Sequence, residues 1–135
     1  MKALAKRLIY TLLLLTLSTG SLYAQKRVAS AVKSAESHNT TQYCAYSERR
    51  DPTTHRLQRS SKVLVISPKD ATTVRQAMDA DRNKAAAVEI ADAGRVYSVT
   101  FVKDNLYSVY TLVQQRNNTW LLTVEEYSTA RQSRR

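Results

Sequence analysis

The last third of the chain alternates between apolar and polar positions, which is the pattern of half-buried β-strands. Three alternating stretches, separated by short polar turns, cover residues 96–103, 107–113 and 120–125. They predict an antiparallel meander over residues 96–127. The face that packs on the core would carry Trp120, Leu122 and Val124. The strand-forming residues 86–91 would add a fourth strand to the meander.

Two earlier segments place apolar residues three and four positions apart, which is the period of an amphipathic helix. The first covers residues 26–37, and its narrow apolar stripe consists of Val28, Ala31, Val32 and Ala35. The second begins with Ser67 as the N-cap and Pro68 in the first helical position. Its body covers residues 70–82, and its apolar positions include Val74, Ala77 and Met78.

Between the two helices, a pair of strand-forming segments flanks the Asp-Pro-Thr-Thr turn at residues 51–54, in which proline presets the second position. These segments, residues 40–50 and 59–67, predict a β-hairpin. The second segment contains an unbroken apolar run at residues 63–66. Such a run is typical of a strand that is covered on both faces or lies centrally in a sheet.

Together the elements predict an α+β fold in the chain order α-β-β-α-β-β-β(-β). We expect one antiparallel sheet of five to six strands, with the helices packed on one face. A single domain over residues 25–127 suits this length of chain. The polar, arginine-containing residues 128–135 are expected to form a disordered basic tail.

The first 24 residues have the three parts of a removable export signal. Basic residues precede an apolar run at residues 8–17, which is too short to span a bilayer comfortably. A small-residue cleavage site ends at Ala24. We therefore expect a mature chain that starts at Gln25, has no transmembrane segment and works in the periplasm or outside the cell. The mass of the protein from its native host tests this, and an intact Met1 would refute it.

Several local features coincide with those of a known family. They are the Glu-Arg-Arg-Asp-Pro sequence at residues 48–52, a Ser-Lys-Val start to the second strand, a helix that ends in Asp-Arg-Asn-Lys, and a tyrosine-rich meander. By these features, and most specifically by its Arg-Asp-Pro-Thr turn, the chain resembles a family of small exported Bacteroidetes proteins of unknown function. The likeness covers most of residues 25–127. It implies export and an α+β fold, and it carries over no functional residue.

The chain is basic, with a formal net charge of +10, and such an excess favours anionic partners. The densest basic cluster surrounds the hairpin turn and consists of Arg49, Arg50, Arg56, Arg59 and Lys62. We predict that this cluster binds an anionic glycan, a lipid surface or an acidic protein. The alternative is a solvated hairpin end whose charges block edge pairing. Export argues against a nucleic acid as the partner.

No catalytic or metal-binding motif accompanies these features, so we predict no enzyme activity, no cofactor and no metal site. The chain has two glycines, which excludes a glycine-rich phosphate loop. The spacing of Cys44, His38 and His55 matches no zinc cage. As the single cysteine, Cys44 is expected to be a small buried side chain, or to pair between chains if it is exposed. Strict alternation places it on the face of Tyr46, opposite Tyr43.

The aromatic residues of the meander could serve either the core or a ligand. They are Tyr97, Phe101, Tyr107, Tyr110, Trp120 and Tyr127. We expect half of them to cover the core and the rest to be free to form a stacking platform for a sugar or a peptide. The sequence thus predicts a non-enzymatic exported binding or interaction module. The alternative, by analogy of fold alone, is an inhibitor-like or accessory protein that acts on an exported enzyme.

Overall fold

The computed structural model describes residues 25–38 and 41–128. The predicted export signal at residues 1–24 and residues 129–135 of the predicted tail lie outside this part. The helices are α1 (Lys26–Glu36) and α2 (Pro68–Asp81). The strands are β1 (Gln42–Arg50), β2 (Leu57–Ile66), β3 (Ala87–Ala91), β4 (Val96–Lys103), β5 (Leu106–Gln114) and β6 (Trp120–Ser128). Short 3-10 turns at Arg82–Lys84 and Asp92–Gly94 flank β3.

The strands form one sheet of six in the order β1-β2-β6-β5-β4-β3, and every neighbouring pair is antiparallel. The predicted hairpin is β1–β2, and the predicted meander, with its fourth strand, is β3 to β6. The two parts join because β2 pairs with β6 along eight residues. Helix α2 carries the chain from β2 to β3 at the opposite edge. The predicted α+β fold is therefore confirmed.

The two helices lie side by side on one face of the sheet and are fastened to each other at both ends. At the start of α1, the backbone N–H of Val28 donates to Asp81 Oδ2 over 3.0 Å, and Asp81 ends α2. Just after α1, His38 Nδ1 lies 2.6 Å from Asp70 Oδ1 in the first turn of α2. Both carboxylates are buried. Each therefore holds a specific polar partner within the helical layer.

The predicted helix starts and apolar stripes are confirmed in detail. Ser67 caps α2, since its hydroxyl accepts a hydrogen bond from the N–H of Asp70 over 3.2 Å. All four residues of the α1 stripe are buried. They pack with the buried Ala71, Val74 and Met78 of α2 against the sheet.

The face of the sheet beneath the helices supplies the rest of the core. One row crosses four strands and consists of Leu64, Leu122, Leu112 and Tyr97, and all four residues are fully buried. Trp120 and Val124 are partly buried and pack against the same core. The predicted register of β6 is therefore confirmed. The residues between them, Leu121 and Thr123, lie on the opposite face, over which neither of the two described helices packs; we call it the open face.

Strand β1 departs from the strict alternation that the sequence predicted. A β-bulge interrupts its pairing at Cys44, so that Tyr43 lies opposite Leu64 and Tyr46 lies opposite Lys62. Both tyrosines consequently lie on the helical face, because the extra residue reverses the alternation. The expectation that Cys44 is buried was also wrong: Cys44 is a free, exposed cysteine on an edge strand.

The apolar run in β2 is covered on one face only. Leu64 and Ile66 are buried under the helices, whereas Val63 and Val65 lie on the open face and stay partly exposed. The prediction of a strand covered on both faces was therefore wrong. The alternative, a strand with neighbours on both sides, is confirmed by its pairing with β1 and β6.

Two core tyrosines should give the fold an alkaline limit. Burial, followed by a 2.8 Å hydrogen bond to Asp79 and the charge of that carboxylate, raises the pKa of Tyr97 to about 12. Burial and the charges of Glu126 and Asp81 raise the pKa of Tyr110 to about 12. Both values exceed the ordinary 10.0. The unfolded chain therefore loses these protons first, and the stability they contribute is complete below pH 10 and declines as the pH rises towards 12.

Urea unfolding measured between about pH 9 and pH 12, together with an absorbance titration of the phenols, tests this expectation. This interval spans the ordinary tyrosine pKa and the raised one. The free energy of unfolding should fall over that interval. The fall should be smaller in Tyr110→Phe, which has no phenolic proton at this position. An unchanged slope in that variant would contradict the assignment of Tyr110.

Candidate binding site on the open face of the sheet

The structure divides the five predicted basic residues between the two faces of the hairpin. Arg49 and Arg59 lie opposite one another on the open face, in line with Tyr127 of β6. Lys62 lies on the helical face, since it shares the alternation of the buried Leu64 and Ile66. Arg50 pairs with Glu48 two positions away on β1, and Arg56 lies exposed in the turn between the strands. The cluster seen in the sequence is therefore not one surface.

Two of the five predicted basic residues, Lys62 and Arg50, form ion pairs with carboxylates of the same chain. Lys62 Nζ lies 2.7 Å from Glu36 Oε1 and so connects β2 to α1. Partial burial alone would lower the pKa of Lys62, but the hydrogen bond and charge of Glu36 outweigh it and raise the pKa. Arg50 Nη2 lies 2.5 Å from Glu48 Oε1, and Arg50 Nη1 donates to the carbonyl of His55 over 2.9 Å. These contacts give Lys62 and Arg50 structural roles at the hairpin.

The two arginines on the open face belong to a longer row across the sheet. Directly opposed positions on five neighbouring strands bring together Arg49, Arg59, Tyr127, Tyr107 and Val102. We call these residues the open-face row. It lies towards the hairpin-turn end of the open face. Elsewhere this face carries mainly small and β-branched side chains, so the row concentrates its charge and its aromatic rings.

Among the described residues, the two arginines of the row have one ion-pair partner between them, which is Glu125. Arg59 Nη2 lies 3.3 Å from Glu125 Oε1, and the two side chains are 63% and 31% exposed. Such an exposed pair contributes only about 0–1 kcal/mol. Arg49 makes no ion pair within residues 25–38 and 41–128. Like charges directly opposed on neighbouring strands repel each other, so an anion bound between Arg49 and Arg59 would relieve this repulsion.

The prediction that the aromatic residues divide between core and surface is confirmed. Tyr97, Phe101 and Tyr110 are buried beneath the helices, and Trp120 is partly buried and packs against the core. Tyr107 and Tyr127 remain on the open face, where their rings stack with centroids 5.0 Å apart and planes inclined by 6°. At this distance parallel rings overlap. The pair is therefore not a flat platform, because each ring uses one of its faces on the other.

A shallow cavity adjoins this stack on the side of the arginines. Its volume is about 380 Å³, and its walls are Arg49, Gln58, Arg59, Glu125 and Tyr127; we call it the open-face cavity. A second irregularity of the hairpin lies at Gln58. Arg49 pairs with Arg59 and Arg50 pairs with Leu57, so Gln58 has no directly opposed residue on β1. The walls supply two guanidinium groups, an amide, a carboxylate and a phenol. This set can bind an acidic group and hydroxyl groups together.

A larger depression of about 750 Å³ lies between the helices and is also basic at its rim. The charged residues there are Lys26, Arg27, Lys84 and Asp81. The other described residues of its walls are serine, threonine and alanine, and none of them is aromatic. Asp81 already accepts the hydrogen bond from Val28. We refer to this depression as the interhelical groove.

The cysteine and the histidines lie in separate places. Cys44 is on β1, His38 lies just after α1 and contacts Asp70, and His55 is exposed in the hairpin turn. Within residues 25–38 and 41–128, no three histidine, cysteine or acidic side chains gather as metal ligands would.

Neither of the described helices has the length and apolar character that crossing a membrane requires.

The sequence matches no protein-family model and no curated protein. The resemblance to small exported Bacteroidetes proteins therefore stays a prediction.

Proposed function

We propose that the chain is an exported, non-enzymatic binding protein that holds an anionic partner at the open-face row. The observation that supports this most strongly is the opposition of Arg49 and Arg59 on the open face, where Glu125 is the one carboxylate among the described residues that line the cavity. A guanidinium group binds a carboxylate or sulfate through two parallel hydrogen bonds. Two such groups on adjacent strands can therefore fix both the position and the orientation of an anionic partner.

Binding of this kind should depend strongly on salt. The two guanidinium groups are exposed, and exposed charges are screened beyond about 10 Å at 0.1 M ionic strength. We therefore expect the affinity to fall steadily as salt is added. The same exposure means that neither arginine is needed for the core.

The double variant Arg49→Ser/Arg59→Ser tests the proposal by retention on immobilised heparin. It should elute at clearly lower salt than the wild type, and its free energy of unfolding should stay within about 0.5 kcal/mol, as for most surface substitutions. Arg27→Ser/Lys84→Ser is the matched control, because it removes the same charge from the interhelical groove. Equal elution of the two double variants would show that only net charge matters, and would refute a site at the open-face row.

A second candidate, an accessory protein that acts on an exported enzyme, is favoured by strand β1. All nine of its residues are exposed, with Tyr43 at 57% and Tyr46 at 60%. An exposed edge strand offers main-chain groups to which an extended segment of another protein can pair. Cross-linking in the native host distinguishes the two candidates. A protein partner lost in Tyr43→Ser/Tyr46→Ser, but kept in the arginine double variant, would favour the accessory role.

A further inference from the structure

We propose that the open-face cavity binds an acidic oligosaccharide of the uronate class, whose sugar rings carry both carboxylate and hydroxyl groups. This rests on the proposed function and names the ligand class of the same site. The decisive feature is the mixture of groups in the walls: two cations and one anion, beside an amide and an aromatic ring.

Glu125 limits which anions fit. Its Oε1 lies 3.3 Å from Arg59 Nη2, so a ligand that binds Arg59 is brought close to this carboxylate. A phosphate or a run of acidic side chains would meet it with like charge and would offer it no hydroxyl group. A sugar hydroxyl, in contrast, donates a hydrogen bond to it. A uronate unit has both an anionic group and hydroxyl groups. Its carboxylate can bind Arg49 and Arg59, and its hydroxyls can face Glu125 and Gln58.

Tyr127 gives the site a surface for the ring of the sugar. One face of its aromatic ring is covered by Tyr107, and the residue also lines the cavity that holds the arginines. The C–H side of a pyranose ring is apolar and packs against an aromatic surface. An acidic peptide or a lipid head group has no corresponding flat apolar side. Tyr127 is therefore the residue expected to distinguish a uronate from other anions.

The length of the row favours a chain of sugars over a single one. From Arg49 on β1 to Val102 on β4 the row crosses four strand spacings, which is about 19 Å at 4.8 Å each. Val102 is itself 37% exposed. A ligand bound at the cavity can thus continue over the edges of the two stacked tyrosines towards β4.

Isothermal titration of the mature chain with three probes tests the inference: oligogalacturonate, a neutral galactose oligomer of equal length, and polyglutamate of equal charge. Oligogalacturonate should bind more tightly than polyglutamate, by up to about tenfold, since it adds one contact with an aromatic ring. The neutral oligomer should bind weakly or not at all. Equal affinity for oligogalacturonate and polyglutamate would overturn the sugar inference and leave the proposed anion binding intact. Failure of both to bind would overturn both proposals.

Two tyrosine variants separate a contact with ligand from a structural effect. Tyr127→Ala and Tyr107→Ala remove the same ring stack, but only Tyr127 lines the cavity. Tyr127→Ala should weaken oligogalacturonate binding about tenfold and leave polyglutamate binding unchanged, whereas Tyr107→Ala should have a clearly smaller effect. Equal losses in the two variants would contradict a direct contact. If Tyr127→Ala does not fold, Tyr127→Leu keeps apolar volume without the flat ring and should lose the same selectivity.

Glu125→Ala provides an independent check, because it removes both the repulsion and the hydrogen-bond acceptor. Binding of polyglutamate should strengthen. The preference for oligogalacturonate over polyglutamate should fall by about tenfold or more, since a hydrogen bond to a charged group is lost. An unchanged preference would show that Glu125 does not contact sugar hydroxyls and would count against the uronate class.

Discussion

Leu122→Ala is expected to lower the free energy of unfolding by about 2–5 kcal/mol, the range for fully buried leucines. Leu122 has no exposed surface and lies on β6, the strand that joins the hairpin to the meander. It packs between Leu64 and Leu112 in the row that faces the helices. Removing its side chain leaves a cavity that the surrounding strands cannot easily close.

Leu121→Ala is the matched control, one residue away on the same strand. Leu121 lies on the open face and is partly exposed, so the same deletion should destabilise the fold far less. Urea unfolding of the two variants measures the difference directly. Equal losses, or a larger loss in Leu121→Ala, would show that β6 has the opposite register or that the open face is covered in solution.

Asp81→Ala is expected to destabilise the chain by about 1–3 kcal/mol, because it leaves the buried N–H of Val28 without its acceptor. Asp81 is 3% exposed and lies at the last position of α2, where its side chain caps the first turn of α1. An N-terminal cap contributes about 0.5–2 kcal/mol by itself. The substitution also releases one of the two contacts that fasten the helices together.

Asp81→Asn separates the hydrogen bond from the charge, since the amide keeps an oxygen that can accept from Val28. Its unfolding free energy should lie closer to that of the wild type than to that of Asp81→Ala. Thermal melting and urea unfolding of the three proteins provide the comparison. If both variants were as stable as the wild type, Asp81 would have no capping role.

The elements that depend on local patterns could be predicted from the sequence. The apolar stripe of α1, the cap at Ser67 and the alternating residues of β4 to β6 each lie within a few positions of one another. Burial of Leu122 follows from the same alternation, because the period of a strand assigns every second residue to one face. Such features need no knowledge of distant partners.

Features that depend on a single extra residue or on distant pairing could not be predicted. The bulge at Cys44 reverses the alternation of β1, and nothing in its composition marks the position. The contacts of Asp81 with Val28 and of Asp70 with His38 join residues 53 and 32 positions apart. A sequence does not show which buried acid meets which donor at such a distance.

The candidate site shows the same limit. Arg49 and Arg59 were among the predicted basic residues, but proximity in sequence grouped them with Lys62, which lies on the other face. Alternation within β2 alone would have separated Arg59 from Lys62. The remaining walls come from a pairing between β2 and β6 that no local pattern reveals, and it brings Glu125 and Tyr127 beside the hairpin.

Mapping of amide chemical shifts during titration of isotopically labelled residues 25–135 with a heparin oligosaccharide tests the central claim most directly. Both the open-face cavity and the interhelical groove are basic, and they lie on opposite sides of the sheet. We predict that the largest shifts fall on the residues that line the open-face cavity and decrease along β2 and β6 away from the hairpin turn. Largest shifts at Lys26, Arg27 and Lys84 would place the anion in the interhelical groove and contradict the account.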